Sequence, residues 1–300
     1  VNRMGKVLTP TLLTLIAGIF LASLLKPLGG YGEVTAEYSS SPLVKGFLDG
    51  YLTMDTIAAL NFGIVISLAI KAKGVEGKKA IVSNSIKAGF IAGTLLVVIY
   101  SMLAHLGATS GGRFGQTENG AQTLANIMLY IFGRPGVILL AVTFTLACLT
   151  TCVGLITSCS QYFTTIMPKV KYITFVRGLT LSSMLLANMG LTKILTISVP
   201  VLNAIYPIAI VLILLSMVET FFHENSIVYI STIAFTGVVS ILHALSGAGV
   251  KLGFIEQLLS NLPLYSQGLG WVTPSAIGFL LGIVLKLVKD NTHSKAVEAN

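Results

Sequence analysis

Eight stretches of this chain are apolar for long enough to cross a bilayer, and polar segments separate them. A membrane helix needs roughly 20 mostly apolar residues to cross about 30 Å of hydrocarbon. The runs are Val7 to Leu28, Phe47 to Ile70, Val82 to Leu106, Val137 to Phe163, Tyr172 to Ala187, Leu191 to Val218, Ile227 to Leu245 and Trp271 to Val288. Between them, Gly29 to Lys45 is polar and rich in Gly and Ser, and Lys71 to Lys79 is basic. The long stretch Thr109 to Gly136 is expected to hold a short surface helix at Asn119–Phe132. Gly253 to Leu262 reads as a short amphipathic segment lying at the membrane interface. The pattern predicts an all-α polytopic membrane protein with about eight transmembrane helices. Residues 1–290 form a single transmembrane domain, and residues 291–300 a polar, irregular tail.

Composition agrees. Of the 300 residues, 54% are hydrophobic and 10% charged, against roughly 25% charged in soluble domains. Mean hydropathy is +0.87. A water-facing surface must be largely polar, so no soluble core could hide this much apolar area. The net charge of +8 does not indicate a nucleic-acid partner, because Lys and Arg sit in short clusters between the apolar runs. With the N-terminus of this chain cytoplasmic, thirteen Lys and Arg fall on the inner side and six on the outer. An even number of spans returns the C-terminus to the cytoplasm. The loop after the sixth run departs from the trend, with Glu219, His223 and Glu224 and no Lys or Arg. The sequence opens Val1-Asn2-Arg3, and further residues are expected upstream of it.

Two runs carry unusual chemistry. The second reads Gly46-Phe47-Leu48-Asp49-Gly50-Tyr51-Leu52-Thr53-Met54-Asp55-Thr56-Ile57-Ala58-Ala59-Leu60. An Asp at a helix centre costs roughly 2.5–3.5 kcal/mol to insert, so such residues are rare and usually functional. Gly50 gives the backbone freedom to break between the two acids, and a discontinuous helix would offer N–H and C=O groups to a zwitterionic solute. The plainer reading places Asp49, or Asp55, at a helix end as a cap. The fourth run is dense in hydroxyls. Thr150, Thr151 and the carbonyl of Ala147 one turn earlier form an oxygen-rich set suited to a hard monovalent cation. Equally, such hydroxyls bond their own i−4 carbonyls.

The remaining candidates are structural. Cys148 and Cys152 share a helix face and read as small buried packing residues, with Cys159 in the same run. His105 and His243 lie near span ends, Pro200 and Pro207 are expected to kink the sixth helix, and Trp271, Tyr172 and Tyr265 fit an aromatic belt. There is no phosphate-binding loop, zinc-protease motif or nucleophile elbow, so neither an ATP-driven pump nor a hydrolase is indicated.

The residues Gly5-Lys6-Val7-Leu8-Thr9-Pro10, the Gly46–Leu60 stretch and the Ala147–Thr151 region resemble the bacterial branched-chain amino acid carriers of the BrnQ type (LIVCS). The resemblance covers essentially the whole chain. It implies a non-enzymatic, cation-coupled symporter of leucine, isoleucine and valine in the bacterial cytoplasmic membrane. The implied architecture is a LeuT-type inverted repeat of twelve spans. This chain would supply the fifth to the twelfth, lacking the first. The second run then corresponds to the broken sixth helix, making Gly50, Tyr51, Thr53, Met54 and Asp55 substrate-binding candidates. Ala147, Thr150 and Thr151 match the family fold's cation site, with sodium or a proton as the coupling ion. The implied partners are the amino acid, the cation and the bilayer. Alternatives are a carrier for another neutral amino acid, or a piece of a carrier that does not itself transport.

Overall fold

The computed structural model describes residues 2–219, 222 and 226–298. His223 and Glu224 of the loop after the sixth run, Val1, and the last two residues of the tail lie outside the described residues. The helices are α1 (Asn2–Leu25), α2 (Ala36–Ser40), α3 (Pro42–Asp49), α4 (Asp55–Ala72), α5 (Lys78–Phe114), α6 (Gly120–Ile166), α7 (Tyr172–Ala187), α8 (Leu191–Met217), α9 (Ser226–Gly247), α10 (Phe254–Ser260) and α11 (Val272–Glu298). No strand occurs among the described residues.

Every apolar run is helical, and the second is interrupted. Among the described residues, five helices are long and apolar enough to cross a membrane: α5, α6, α8, α9 and the Val272–Lys289 part of α11. The apolar Thr9–Leu25 part of α1, and α7, are shorter. In the 18-residue apolar window of α5, 0% of the residues are buried. Phe90 and Ile91 are 78% and 69% exposed there. That arrangement is stable against lipid and unstable against water.

Three expectations need revision. The Asn119–Phe132 helix is not a surface helix. It forms the first part of α6, where Asn119 caps it by accepting from the Gln122 N–H at 3.1 Å, and its Ile127 and Met128 are completely buried. It is separated from the apolar part at Gly133, whose φ of 68° and ψ of −159° belong to a region open essentially only to glycine. Pro135 then withholds a backbone donor at the same bend. The tail after Lys289 is not irregular but continues α11 to Glu298, because no Gly or Pro follows Gly282 to end the helix. Cys148 and Cys152 are exposed rather than buried in packing. α8 runs without interruption through Pro200 and Pro207.

The chain gathers into two compact units, residues 1–34 with 62–194, and residues 35–61 with 195–300. In the first unit α1 packs on α5 and α6, and α6 on α7, around Ile19, Leu28, Leu106, Ile127, Met128 and Leu140. His105 there is held edge-on between the rings of Phe20 and Tyr31. In the second unit α9 and α11 form the main helix pair, over Val211, Leu215, Phe222, Val228 and Trp271. Small residues let their backbones approach, as membrane helices require where no hydrophobic drive operates between them. A Cβ on Gly282 would stand 2.8 Å from Val228 Cα, and one on Gly278 2.9 Å from the Ser231 carbonyl oxygen. Thr236 and Ser275 add a hydroxyl pair at 2.8 Å across the same seam.

Candidate functional site

The second apolar run breaks where its acids and Gly50 fall. α3 ends at Asp49, Gly50–Thr53 tightens into a 3-10 turn, and Met54 adopts a left-handed conformation (φ 60°, ψ 10°) before α4 restarts at Asp55. A non-glycine residue pays about 1–2 kcal/mol for that conformation. Thr53 Oγ1 donates to the Gly50 carbonyl at 2.8 Å, and the Met54 N–H donates to the Tyr51 carbonyl at 3.2 Å. Gly50, Thr53 and Met54 are exposed and Asp55 is half-buried. Asp55 opens the first turn of α4, where the helix dipole favours a carboxylate. Tyr51 is set apart from these four. It is 3% exposed, stacks on Tyr206 with ring centres 4.5 Å apart and meets Phe47 edge-on.

Asp49 does not cap a helix. Its carboxylate accepts from the Lys45 ammonium at 2.7 Å and from the Tyr38 hydroxyl, and Lys45 also reaches Glu37 at 2.9 Å. The one-turn spacing of Lys45 and Asp49 on α3 makes the pair possible. The bond to Asp49, then burial, pushes the Tyr38 hydroxyl above its ordinary value. Burial pulls the Lys45 ammonium down, but its bonds to Asp49 and Glu37 outweigh that and hold it above the usual lysine value. Both groups are therefore held protonated more firmly in the folded chain than in the unfolded one. The stability they contribute is present below their ordinary values and is lost as pH rises through the folded ones. Thermal unfolding in lipid nanodiscs should accordingly be flat from pH 6 to 9 in this region and fall above about pH 10. Lys45→Gln should remove part of that fall; an unchanged profile would contradict the pairing.

Behind this cluster, within the second unit, lies a cavity of about 240 Å³. Lys45, Asp49 and Tyr51 line it together with Asn203, Ser240, His243 and Trp271, and Leu48, Leu52, Val199 and Pro207 form its apolar wall. Gly268 and Gly270 keep the turn before α11 tight: a Cβ at Gly268 would strike the Leu48 side chain at 2.7 Å. That close turn draws Trp271 inward to 9% exposure, so it is not a belt residue. His243, expected at the interface, packs edge-on against Tyr265 at 4.8 Å and borders the cavity.

The candidate cation ligands fall in the first unit, on α6. Thr151 Oγ1 donates to the Ala147 carbonyl at 3.0 Å, and Thr150 Oγ1 to the Leu146 carbonyl at 2.9 Å. The structure thus brings Thr151 and Ala147 together and sends Thr150 to a different carbonyl. Thr151 is exposed, Ala147 and Thr150 half-buried. No group of three or more His, Cys, Asp or Glu able to hold a metal occurs among the described residues.

Residues 1–289 match the family described as branched-chain amino acid transport protein. The chain is 47% identical over 288 residues to the branched-chain amino acid permease BraB of Bacillus subtilis, covering 96% of this chain and 65% of that protein. It is 43% identical to the branched-chain amino acid transport system 2 carrier protein of Pseudomonas aeruginosa, over 95% of this chain and 64% of that one. To the BrnQ permease of Escherichia coli K12 it is 35% identical, over 94% and 64%. The chain therefore spans about two thirds of the length of these relatives. No solved structure matches it. Its relatives are named as permeases and carriers, not enzymes, and its long apolar helices are those of a multi-pass membrane protein. This chain belongs to the branched-chain amino acid transport protein family.

Proposed function

We propose that the chain forms part of a cation-coupled carrier of leucine, isoleucine and valine in the bacterial cytoplasmic membrane, with both of its own termini on the cytoplasmic side. The observation that carries this reading is the interruption at Gly50–Met54. Non-helical backbone at membrane depth persists only where it is buried in protein or faces a wet cavity, and carriers use such half-helix ends to hold charged groups of the substrate. Met54 keeps its strained conformation at that break, as residues at ligand clamps do. The names of the relatives supply the substrate class. The amino acid would meet Gly50, Thr53, Met54 and Asp55 at the break, and the coupling ion would meet the Ala147 carbonyl and the Thr151 hydroxyl, two oxygens already adjacent. Rocking of one part against the other would then expose the site to either side in turn.

The test is uptake of labelled leucine, isoleucine and valine into proteoliposomes under an inward sodium or proton gradient. Sodium coupling is the expected result. Thr151→Ala should raise the sodium concentration for half-maximal uptake about tenfold or more, corresponding to loss of one charged-group contact. It should leave thermal stability within about 0.5 kcal/mol, because Thr151 is exposed and bonds only to its own helix. Uptake driven by a proton gradient alone, and indifferent to Thr151→Ala, would remove the sodium site. Preference for a different neutral amino acid would change the substrate while keeping the carrier.

A further inference from the structure

Five lysines gather around the turn between α4 and α5 without carboxylates to balance them. Lys71, Lys73, Lys78, Lys79 and Lys87 fall within residues 71–87, and Glu76 is the one acid in that stretch. All five are exposed, and no ion pair to any of them occurs among the described residues. Lys78 and Lys79 stand in the first turn of α5. That turn holds no acid, and its N-cap is Gly77, which has no side chain to offer. A helix N-terminus carries partial positive charge and backbone N–H groups without intrahelical partners. Two ammonium groups placed there set like charge against like charge.

A groove of about 520 Å³ runs along the same helix, lined by Lys78, Lys79, Val82, Ser83, Ile86 and Lys87. Residues four apart lie above one another on a helix, so these six form two adjacent rows. One row is Lys78, Val82 and Ile86, and the other is Lys79, Ser83 and Lys87. The first row is cationic at its head and apolar below. It continues through Phe90 into the apolar window of α5, where no residue is buried. Lys87 lies about two and a half turns beyond Lys78, inside the apolar run that begins at Val82. An ammonium at that depth must reach back to the interface or meet a counter-charge. Helical side chains slant towards the N-terminus, so Lys87 extends towards Ser83 and Lys79.

We infer that this face of α5 is a binding site for an anionic phospholipid. The ammonium groups of Lys78, Lys79 and Lys87 hold its phosphate, and an acyl chain lies along Val82, Ile86 and Phe90. Lys71 and Lys73, in the segment leading into the helix, add attraction to the charged headgroup. An acidic protein segment would meet the ammonium groups but not the apolar row that runs on into the hydrocarbon, which is why the partner is a lipid. The inference needs α5 to span the membrane and does not depend on the carrier reading.

The full chain in mild detergent is mixed with equal amounts of phosphatidylglycerol and phosphatidylcholine of identical acyl chains, and the lipids retained per chain are counted by native mass spectrometry. The expected result is a preference for phosphatidylglycerol of at least about tenfold. The combined variant Lys78→Gln, Lys79→Gln, Lys87→Gln, checked for helical content, should bring it below about twofold. The combined variant Lys169→Gln, Lys171→Gln, Arg177→Gln removes as many positive charges elsewhere and should keep the preference. No preference in the unaltered chain overturns the site, as does equal loss in the two variants, which would mark an effect of net charge alone. Displacement of the bound lipid by an excess of inorganic phosphate, or of a glutamate-rich peptide, would mark a general anion patch and overturns the lipid assignment. The comparison of lipids and the displacement both use the unaltered chain, so poor folding of a variant does not blunt them.

Discussion

Gly282→Leu is expected to destroy the α9–α11 pair and, with it, the folded second unit. A Cβ at position 282 would stand 2.8 Å from Val228 Cα. That neighbour is backbone in the first turn of α9, so it cannot swing aside as a side chain would. One turn earlier Gly278 lies equally close to the Ser231 carbonyl and Thr232 Cα. The helices cannot separate locally without opening the Thr236–Ser275 hydroxyl contact and exposing Val228, which is completely buried. Overpacking of a well-filled site costs typically about 1–3 kcal/mol, and a four-carbon side chain against backbone belongs at or beyond the top of that range. Gly178→Leu in α7 is the matched control: a Cβ there meets nothing within 4 Å, and replacing glycine in a helix interior gains about 0.5–1 kcal/mol. Heating each variant in nanodiscs and measuring the surviving monodisperse fraction should show a large loss for Gly282→Leu and none for Gly178→Leu. Equal behaviour of the two would mean that α9 and α11 do not pack through their glycines.

Met54→Ile is expected to abolish uptake while leaving the chain in the membrane. The left-handed conformation at Met54 (φ 60°) is what turns the chain from the 3-10 segment into α4. A β-branched residue is a genuine outlier there, so isoleucine shifts the balance towards a continuous helix through the break. That would bond together the backbone groups that the proposed carrier would use to hold its substrate. Met54→Gly takes the same conformation without the steric cost, so it should preserve the break and most of the uptake. The pair of variants separates backbone shape from side-chain chemistry: loss with isoleucine and retention with glycine is expected, at least about tenfold apart. Loss with both would assign the role to the methionine side chain. Retention with both would show that the left-handed turn is not needed.

The helical architecture was legible because lipid imposes a length rule that composition alone can satisfy. Tyr172 to Ala187 emerges as α7 with the same bounds, and Leu191 to Val218 as α8 to within one residue. The interruption in the second run was legible too, from two acids and a glycine inside an apolar stretch. What escaped depended on neighbours distant in sequence. Trp271 reads as an interfacial aromatic until Gly268 and Gly270 turn it inward, and His243 reads as a span-end residue until the cavity is seen beside it. Asp49 looks like a cap until Tyr38 and Lys45 are placed around it. The Gly278-x-x-x-Gly282 spacing was in plain view as a helix-packing signal, and it marks the tightest helix seam of the second unit. For the cation candidates, an Ala-x-x-Thr-Thr pattern does not distinguish a hydroxyl bonded to its own helix from one waiting for an ion. The bond from Thr151 to Ala147 serves either.

Counterflow tests the proposed carrier most directly. Proteoliposomes bearing this chain are loaded with unlabelled leucine, diluted into a trace of labelled leucine, and sampled over minutes, with protein-free liposomes beside them. The expected result is a transient accumulation of label above its equilibrium level, competed by isoleucine and valine and not by lysine. Label that merely equilibrates, at the protein-free rate or without saturation, would contradict a carrier.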